Sequence, residues 1–439
     1  MFGTSGIRGP VGETVTADLA LAVGRAVGID ADSAVVGRDP RESGRLLTDA
    51  LTAGLRESGT DVFDLGLAAT PTVARAVGWH DADAGISVTA SHNPAPDNGI
   101  KLWQPSGQAF DEAARKTIAR RVREDETDLQ AWDGLGDRTP TDAAERHVES
   151  LVEAVEIDDP LSVAVDLGNG AGGVTVDALQ ALGCAVETLN AQPDGGFPGR
   201  PSEPTAENCE SLRRLVETTD ADLGIAHDGD ADRLRAATGA GEFLSGDVLL
   251  ALFAREAVAR SDIAEPRVAV PVDTSLAVDD ALAPLGATVT HTKVGDVFVA
   301  ERATEADVVF GGEPSGAWIW PAQTLCPDGP LAACRLAALA AERPLAERAT
   351  EIETYPIRRA NVETADKGGV MERVEERVIA EYDDVRTLDG VRADLGDAWF
   401  LVRASGTQPL VRITAEARDE ARAEEVFESV REIVADAEN

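Results

Sequence analysis

The chain has almost no lysine. Of 40 basic residues among 439, lysine occurs only at Lys101, Lys116, Lys293 and Lys367, and arginine supplies the rest. Against these stand 79 acidic residues, for a net charge of −39. A chain so short of positive charge argues against nucleic acid and anionic membrane as partners, because both are held through basic patches. Salt screens the self-repulsion of such a surface. The acidic, lysine-poor composition therefore suits a salt-rich cytosol and predicts a halophilic source. Cysteine is scarce as well: Cys184, Cys209, Cys326 and Cys334 form no C-x-x-C pair and have few histidines near them in the chain. Reduced core thiols are expected there rather than a zinc site. No apolar run is long enough to span a bilayer. The start, MFGTSGIRGP, lacks the charged and apolar stretches of a signal peptide, which predicts a cytoplasmic protein.

What is present points to a multidomain α/β protein. Hydrophobic residues make up 43% of the chain, a normal share for a globular protein. At roughly 100–200 residues per domain, the length predicts two to four domains. Short β-branched runs alternate with Ala- and Leu-rich stretches, the rhythm of parallel-sheet α/β domains. It predicts strands over 33–38, 85–89, 162–167, 222–227, 267–272, 287–291 and 307–310, and helices over 17–28, 45–58, 174–182, 206–218 and 246–259. Three stretches share this layout without a demonstrable sequence repeat. The polar segment 120–147 interrupts the rhythm. Near 350–360 it changes to 385–391, 398–403 and 410–417 with a final helix over 418–436. The chain thus divides into α/β domains over 1–147, 148–245 and 246–352 and a smaller α+β domain over 353–439.

Several predicted strands run directly into polar loops, and parallel sheets carry their sites at the carboxyl ends of strands. Thr89-Ala90-Ser91-His92-Asn93-Pro94 is either ordinary turn chemistry or a loop presenting Ser91 as a nucleophile and phosphate carrier. Adjacent residues of an extended chain point to opposite sides, so adjacency alone does not make Ser91 and His92 a catalytic pair. A structural or phosphate-contacting His92 is the preferred reading. Asp228-Gly229-Asp230-Ala231-Asp232-Arg233 places three carboxylates at alternate positions, an arrangement that a cation would neutralise. Calcium-loop spacing fails, with Arg233 at the sixth position and Gly239 at the twelfth. A compact Mg²⁺ site and a solvated acidic turn remain. Gly312-Glu313-Pro314-Ser315-Gly316 offers a carboxylate and a hydroxyl that suit sugar hydroxyls, or is a plain turn.

Arg403-Ala404-Ser405-Gly406-Thr407-Gln408-Pro409 has the makings of a phosphate cradle, or of a polar hairpin. The start Gly3-Thr4-Ser5-Gly6-Ile7-Arg8-Gly9 has similar chemistry around Arg8, against a disordered terminus. Lys101 and Lys293 both lie beside candidate loops, or are solvated. Gly168-Asn169-Gly170-Ala171-Gly172-Gly173, with Glu187 further on, fits a dinucleotide fingerprint. That fingerprint leaves the acidic triplet, the Ser91 loop and the arginine loop unexplained.

The motifs TSGIRG, TASHNP, NGIK, DGDADR, GEPSG and RASGTQP follow one another over nearly the whole chain. As a set they resemble the α-D-phosphohexomutase family, which includes phosphoglucosamine mutases, phosphomannomutases and phosphoglucomutases. The resemblance implies three similar mixed-sheet α/β domains plus a smaller α+β C-terminal domain around a central cleft. It implies a phosphoserine at Ser91 and one Mg²⁺ held by Asp228, Asp230 and Asp232 together with the Ser91 phosphate. Arg8 and Lys101 would lie near the transferring group, with His92 assisting. Arg233, Lys293, Glu313 and Ser315 would bind substrate, while Arg403, Ser405, Gly406 and Thr407 would hold the non-reacting phosphate.

The implied reaction interconverts hexose 6-phosphate and hexose 1-phosphate, with a sugar bisphosphate as intermediate or activator. The TSGIRG start and the Thr292-Lys293-Val294-Gly295-Asp296 loop look closer to phosphoglucosamine mutases, implying glucosamine phosphate as substrate. Phosphomannomutase or phosphoglucomutase activity is the alternative, and a sugar-phosphate phosphatase or a non-catalytic binder is more remote. A monomer or homodimer is expected. One position departs from the family: Ala317 stands where many members carry a histidine after the sugar loop.

Overall fold

The runs Ala34-Val35-Val36 and Val163-Ala164-Val165 are wholly buried. Such β-branched segments pack well on a pleated surface covered from both sides by helices. The computed structural model describes Gly3, residues 6–405 and residues 409–438. Four sheets follow one another along the chain.

The first three sheets share one strand order. In the first, Ser33–Arg38, Asp61–Leu67 and Ala84–Val88 run parallel, and Asp97–Trp103 returns antiparallel beside Ala84–Val88. The edges are Ile7–Pro10 and Arg138–Pro140. The second sheet repeats the order with Ser162–Asp166, Ala185–Leu189, Leu223–His227 and the antiparallel Leu234–Thr238. The third repeats it with Arg267–Pro271, Thr288–Thr292, Val308–Gly312 and the antiparallel Trp318–Ile319. The similar layout read from the sequence is thus a shared topology. In each sheet the hairpin joining the third strand to the fourth leaves the carboxyl end of an inner strand. Those three hairpins carry Ser91, the acidic triplet, and Glu313 with Ser315.

The fourth sheet is antiparallel, with Ala398–Ala404 and Leu410–Ala417 at its centre. Its strands alternate cleanly. Phe400 and Val402 face the helices Lys367–Glu381 and Glu420–Glu438, whereas Trp399 and Leu401 pack against Val272 of the third region. Arg403 lies on that second face, near the end of Ala398–Ala404. The three mixed-sheet α/β units and the smaller α+β unit give the expected fold class. One apolar core spans the second and third regions, through the helices Gly246–Ala259 and Gly329–Glu342. The first and fourth regions each have a core of their own.

One expectation needs correction. The predicted strand 385–391 is two short strands, Val385–Arg386 and Val391–Asp394, because the chain turns at Gly390, where φ is 80°. The run around Arg8 is an ordered edge strand, with Arg8 opposite Gly99. All four cysteines are free and buried. Among the described residues, no helix is long and apolar enough to cross a membrane.

Candidate active site

Ser91 has φ 52°, a left-handed conformation uncommon for a residue with a side chain. Surrounding contacts over-determine it. The fully buried Arg41 donates to the carbonyls of Ser91, Asn93, Pro94 and Asp97 at 2.9, 2.7, 2.6 and 2.9 Å. Its Nε pairs with Asp39 at 2.9 Å. The Thr89 hydroxyl accepts the Ser91 amide N–H at 2.8 Å and donates to Asp39 at 2.7 Å. One buried ion pair thereby grips the whole turn.

The loop following Leu223–His227 meets this turn. The Ser91 hydroxyl donates to Asp228 Oδ2 at 2.6 Å and lies 3.5 Å from Asp232 Oδ1. Asp228, Asp230 and Asp232 are buried, with one oxygen of each lying within 4.8 Å of the others. Burial, then Asp232 and Asp230, push the Asp228 carboxyl well above its ordinary range. Burial alone would raise Asp230 too, but Lys101, the Thr70 hydroxyl and Arg8 outweigh it and hold it low. Thr70 donates to Asp230 Oδ2 at 2.7 Å. The Lys101 ammonium bonds Asp232 and lies 3.4 Å from Asp230. Burial opposes its charge, yet those two carboxylates raise its pKa and keep it protonated.

The Oδ1 atom of Asp230 is buried without a hydrogen-bond partner among the described residues. Three converging hard oxygen donors, one of them unsatisfied, fit a divalent cation such as Mg²⁺.

His92 corrects the expectation from adjacency. Its Nδ1 lies 3.2 Å from the Ser91 hydroxyl oxygen, because the left-handed turn replaces the extended geometry that would separate the two side chains. Burial, then Arg233, Arg8 and Lys101, push its pKa down to about 2, so the ring is neutral at neutral pH. Arg8 reaches the same neighbourhood, and its Nε is buried without a partner among the described residues.

The third hairpin joins the second directly. Arg233 pairs with Ala317 across a β-bridge, and Leu234 donates to Gly316 O at 2.9 Å. Burial opposes the Arg233 charge, but Asp228, Asp232 and Glu313 raise its pKa. Glu313 accepts the Gly295 N–H at 2.6 Å and the Ser315 hydroxyl at 3.1 Å. Burial, then Asp296, push Glu313 up to about 7. Lys293 lies over the Phe298 ring at 5.5 Å. Asp389 links this region to the fourth sheet, accepting from Val294 N at 3.2 Å and from Arg403 at 3.0 Å. Ser405 is buried, and its carbonyl accepts the Lys367 ammonium at 2.6 Å. Gly406 and Thr407 lie outside the described residues.

Four family models match the chain in order. They are phosphoglucomutase/phosphomannomutase alpha/beta/alpha domains I, II and III over residues 1–128, 145–241 and 245–355, and the C-terminal domain over 359–433. The chain belongs to the phosphoglucomutase/phosphomannomutase family. A relative named probable phosphoglucosamine mutase, from Methanopyrus kandleri, is 46% identical over 99% of this chain and 97% of its own length. Another of that name, from Methanosarcina acetivorans, is 43% identical over 100% of this chain and 99% of its own. Among solved structures, a phosphoglucomutase/phosphomannomutase family protein from Burkholderia thailandensis superposes with a TM-score of 0.88 at 29% identity, covering 100% of this chain and 98% of that one. N-acetylphosphoglucosamine mutase of Aspergillus fumigatus, solved with GlcNAc-6P and magnesium, shares the fold at a TM-score of 0.62 and 16% identity, covering 100% of this chain and 96% of that one.

Within this phosphohexomutase frame, sequence reasoning missed several groups around the site. Arg41, which grips the Ser91 turn, lies just after the strand Ser33–Arg38 and outside the motifs read from the sequence. Arg359 and Arg412 line an open pocket of about 440 Å³ with Arg403, Asn361 and Asp273. Neither makes an ion pair among the described residues, although carboxylates abound in this chain. Arg412 stands opposite Arg403 in the antiparallel register. A second arginine shortly after the RASGTQP loop, on the adjoining strand, was the available signal. At the position where many members carry histidine, Ala317 is buried and its carbonyl accepts the Glu313 amide at 2.9 Å.

Proposed function

We propose that the protein is a phosphoglucosamine mutase, interconverting glucosamine 6-phosphate and glucosamine 1-phosphate by exchanging a phosphoryl group with Ser91. The observation that carries this reading is the contact of the Ser91 hydroxyl with Asp228, 137 positions away, at the mouth of two matching hairpins. Relatives named probable phosphoglucosamine mutase, spanning essentially the whole chain at 43–46% identity, favour glucosamine as the sugar.

Phosphoryl transfer asks a protein for alignment and charge stabilisation more than for covalent chemistry. In the first half-cycle the bond between phosphorus and Ser91 Oγ breaks as one forms to a sugar hydroxyl oxygen. The hydroxyl proton passes to water, a bisphosphorylated sugar results, and the second transfer returns a proton to the sugar oxygen that gives up its phosphoryl group. That sugar turns end for end and returns its other phosphoryl group to Ser91 Oγ. Lys101, Arg8 and Arg233 supply fixed positive charge around Ser91. Neutral His92 offers a ring nitrogen beside Ser91 Oγ. Asp228, Asp230 and Asp232, with the Ser91 phosphate, would hold Mg²⁺, which offsets the charge of the phosphoryl oxygens.

Glu313 and Ser315 would orient sugar hydroxyls, with Lys293 nearby. Arg403, Ser405, Gly406 and Thr407 would grip the phosphate that is not reacting, and Arg359 and Arg412 add positive charge to that cradle. The cradle must accept a phosphate at either end of the sugar, which suits a C-terminal domain able to open for the turn.

Comparing kcat/KM on glucosamine, glucose and mannose 6-phosphates tests the assignment. A clear preference for the glucosamine compound is expected. Preference for mannose 6-phosphate defeats the sugar assignment, and release of free phosphate without isomerised product defeats the mutase reading itself.

A further inference from the structure

Between the strand Ala185–Leu189 and the helix Glu210–Thr218 the chain makes a long irregular excursion. Its middle lies across the first two hairpins of the site. A Cβ added at Gly195 would stand 2.5 Å from the Arg41 Cα, and the Phe197 ring covers the Arg41 guanidinium at 4.9 Å. Arg200, buried, pairs with Asp166 at 2.6 Å and donates to His227 O at 2.6 Å, immediately before the acidic triplet. The same guanidinium reaches the carbonyls of Pro201 and Ser202 at 3.0 and 3.2 Å.

Further along the excursion lies Ser202, which is 2% exposed. Its hydroxyl donates to the Ser91 carbonyl at 2.8 Å and accepts the Gly229 N–H at 3.0 Å. Gly229 is the residue between Asp228 and Asp230. A hydroxyl both donates and accepts, so this one group bonds the two loops at once. The approach leaves no room at Gly229: a Cβ there would lie 2.8 Å from Ser202 Oγ and 3.0 Å from Ser91 O.

We propose that Ser202 is a positioning residue that sets the separation between Ser91 and the acidic triplet. It acts through the backbone of Ser91 and Gly229 and touches neither sugar nor cation. The effect on turnover rests on the mutase reading above; the tie between the loops rests on the geometry alone. Groups that orient the residues around a metal typically cost ten- to a hundredfold in affinity or activity when removed, and a misplacement of about 1 Å costs a similar factor in rate.

The test compares wild type, Ser202→Ala and Ser202→Thr in three measurements: exchange of the Gly229 amide, calorimetric binding of Mn²⁺, and kcat with KM on glucosamine 6-phosphate. In the Ala variant the Gly229 amide should exchange faster, Mn²⁺ should bind roughly ten- to a hundredfold more weakly, and kcat should fall by a similar factor with KM within about twofold. Ser202→Thr keeps the hydroxyl and should recover most of the loss. Unchanged amide exchange, Mn²⁺ affinity and kcat in a folded Ala variant overturn the proposal. So does a loss that Thr fails to restore and that moves KM as much as kcat. If the Ala variant does not fold, Ser202→Cys takes its place: its weak thiol bonds predict a partial loss, and wild-type values overturn the proposal. A wild type that isomerises no hexose phosphate refutes the mutase reading, while the amide exchange and Mn²⁺ comparisons still decide the tie.

Discussion

Replacing Arg41 by alanine should loosen the Ser91 turn and expose how much of its stability is one buried ion pair. Both side chains of the Arg41–Asp39 pair are 0% exposed. Removing the guanidinium strips four carbonyl contacts and leaves Asp39 buried with only the Thr89 hydroxyl and the residue-41 amide. Breaking a buried pair by deleting one partner costs about 3–5 kcal/mol, a large fraction of a typical stability of about 5–15 kcal/mol. The cost should depend on pH with a definite sign. Burial already raises the Asp39 pKa with Arg41 present, and losing Arg41 raises it further. The folded variant then holds a proton that the unfolded chain releases near pH ~4. Its penalty is absent below that pH and grows by about 1.4 kcal/mol per unit as pH rises toward the folded pKa.

A protein of four units need not unfold in one step. Native-state hydrogen exchange of the strands Ala84–Val88 and Asp97–Trp103 is therefore the suitable assay. Arg41→Ala should lower protection there more at about pH 7.5 than at about pH 5. Adding Asp39→Asn should return on the order of 1–3 kcal/mol, because it removes the stranded charge. A loss independent of pH, or strict additivity of the two substitutions, would refute the assignment of that energy to the pair.

Other perturbations test other parts of the site. Arg403→Ala removes a charge-assisted contact worth about 1.5–3 kcal/mol, so KM should rise roughly ten- to a hundredfold; steady-state kinetics giving an unchanged KM exclude it from the cradle. Burial and Asp296 push Glu313 up to about 7 from an ordinary value of 4.5, so protonation below that pH should remove a sugar acceptor and lower kcat/KM. Glu313→Gln should flatten that acid limb, and persistence of the limb assigns it to another group. The same raised pKa means Glu313 favours folding below pH ~4.5 and loses that contribution as pH rises through 7, so the Gln variant should melt higher than wild type in mild alkali. At a net charge of −39, molar salt should raise the melting temperature markedly over dilute buffer; equal melts in both would remove the basis for a halophilic origin.

The helices 17–28 and 246–259 and the strands 33–38 and 410–417 were legible because their apolar residues are committed to burial, on both sides of the strand 33–38 and around most of the helix 246–259. Each has the bounds that its periodicity predicts. The loops were legible because each interrupts such a strand with residues that only chemistry or a turn requires. The shared strand order was not, since topology depends on which strands pair and the three stretches show no demonstrable sequence repeat. Arg41 and Ser202 stayed hidden for a different reason. They act through backbone atoms of residues 50 and 111 positions away, and nothing in local composition marks such a contact. The approach of His92 to the Ser91 hydroxyl was not legible because Ser91 leaves the extended conformation that the adjacency argument assumed.

The central claim is that Ser91 gives a phosphoryl group to a hexose phosphate and takes one back. Enzyme incubated with Mg²⁺ and ³²P-labelled glucosamine 1,6-bisphosphate, then digested and sequenced by mass spectrometry, tests it directly. Label should appear on Ser91 alone, leave into bisphosphate when unlabelled glucosamine 6-phosphate is added, and be absent from a folded Ser91→Ala protein that no longer turns over. Label on another residue, or continued isomerisation by Ser91→Ala, would contradict it.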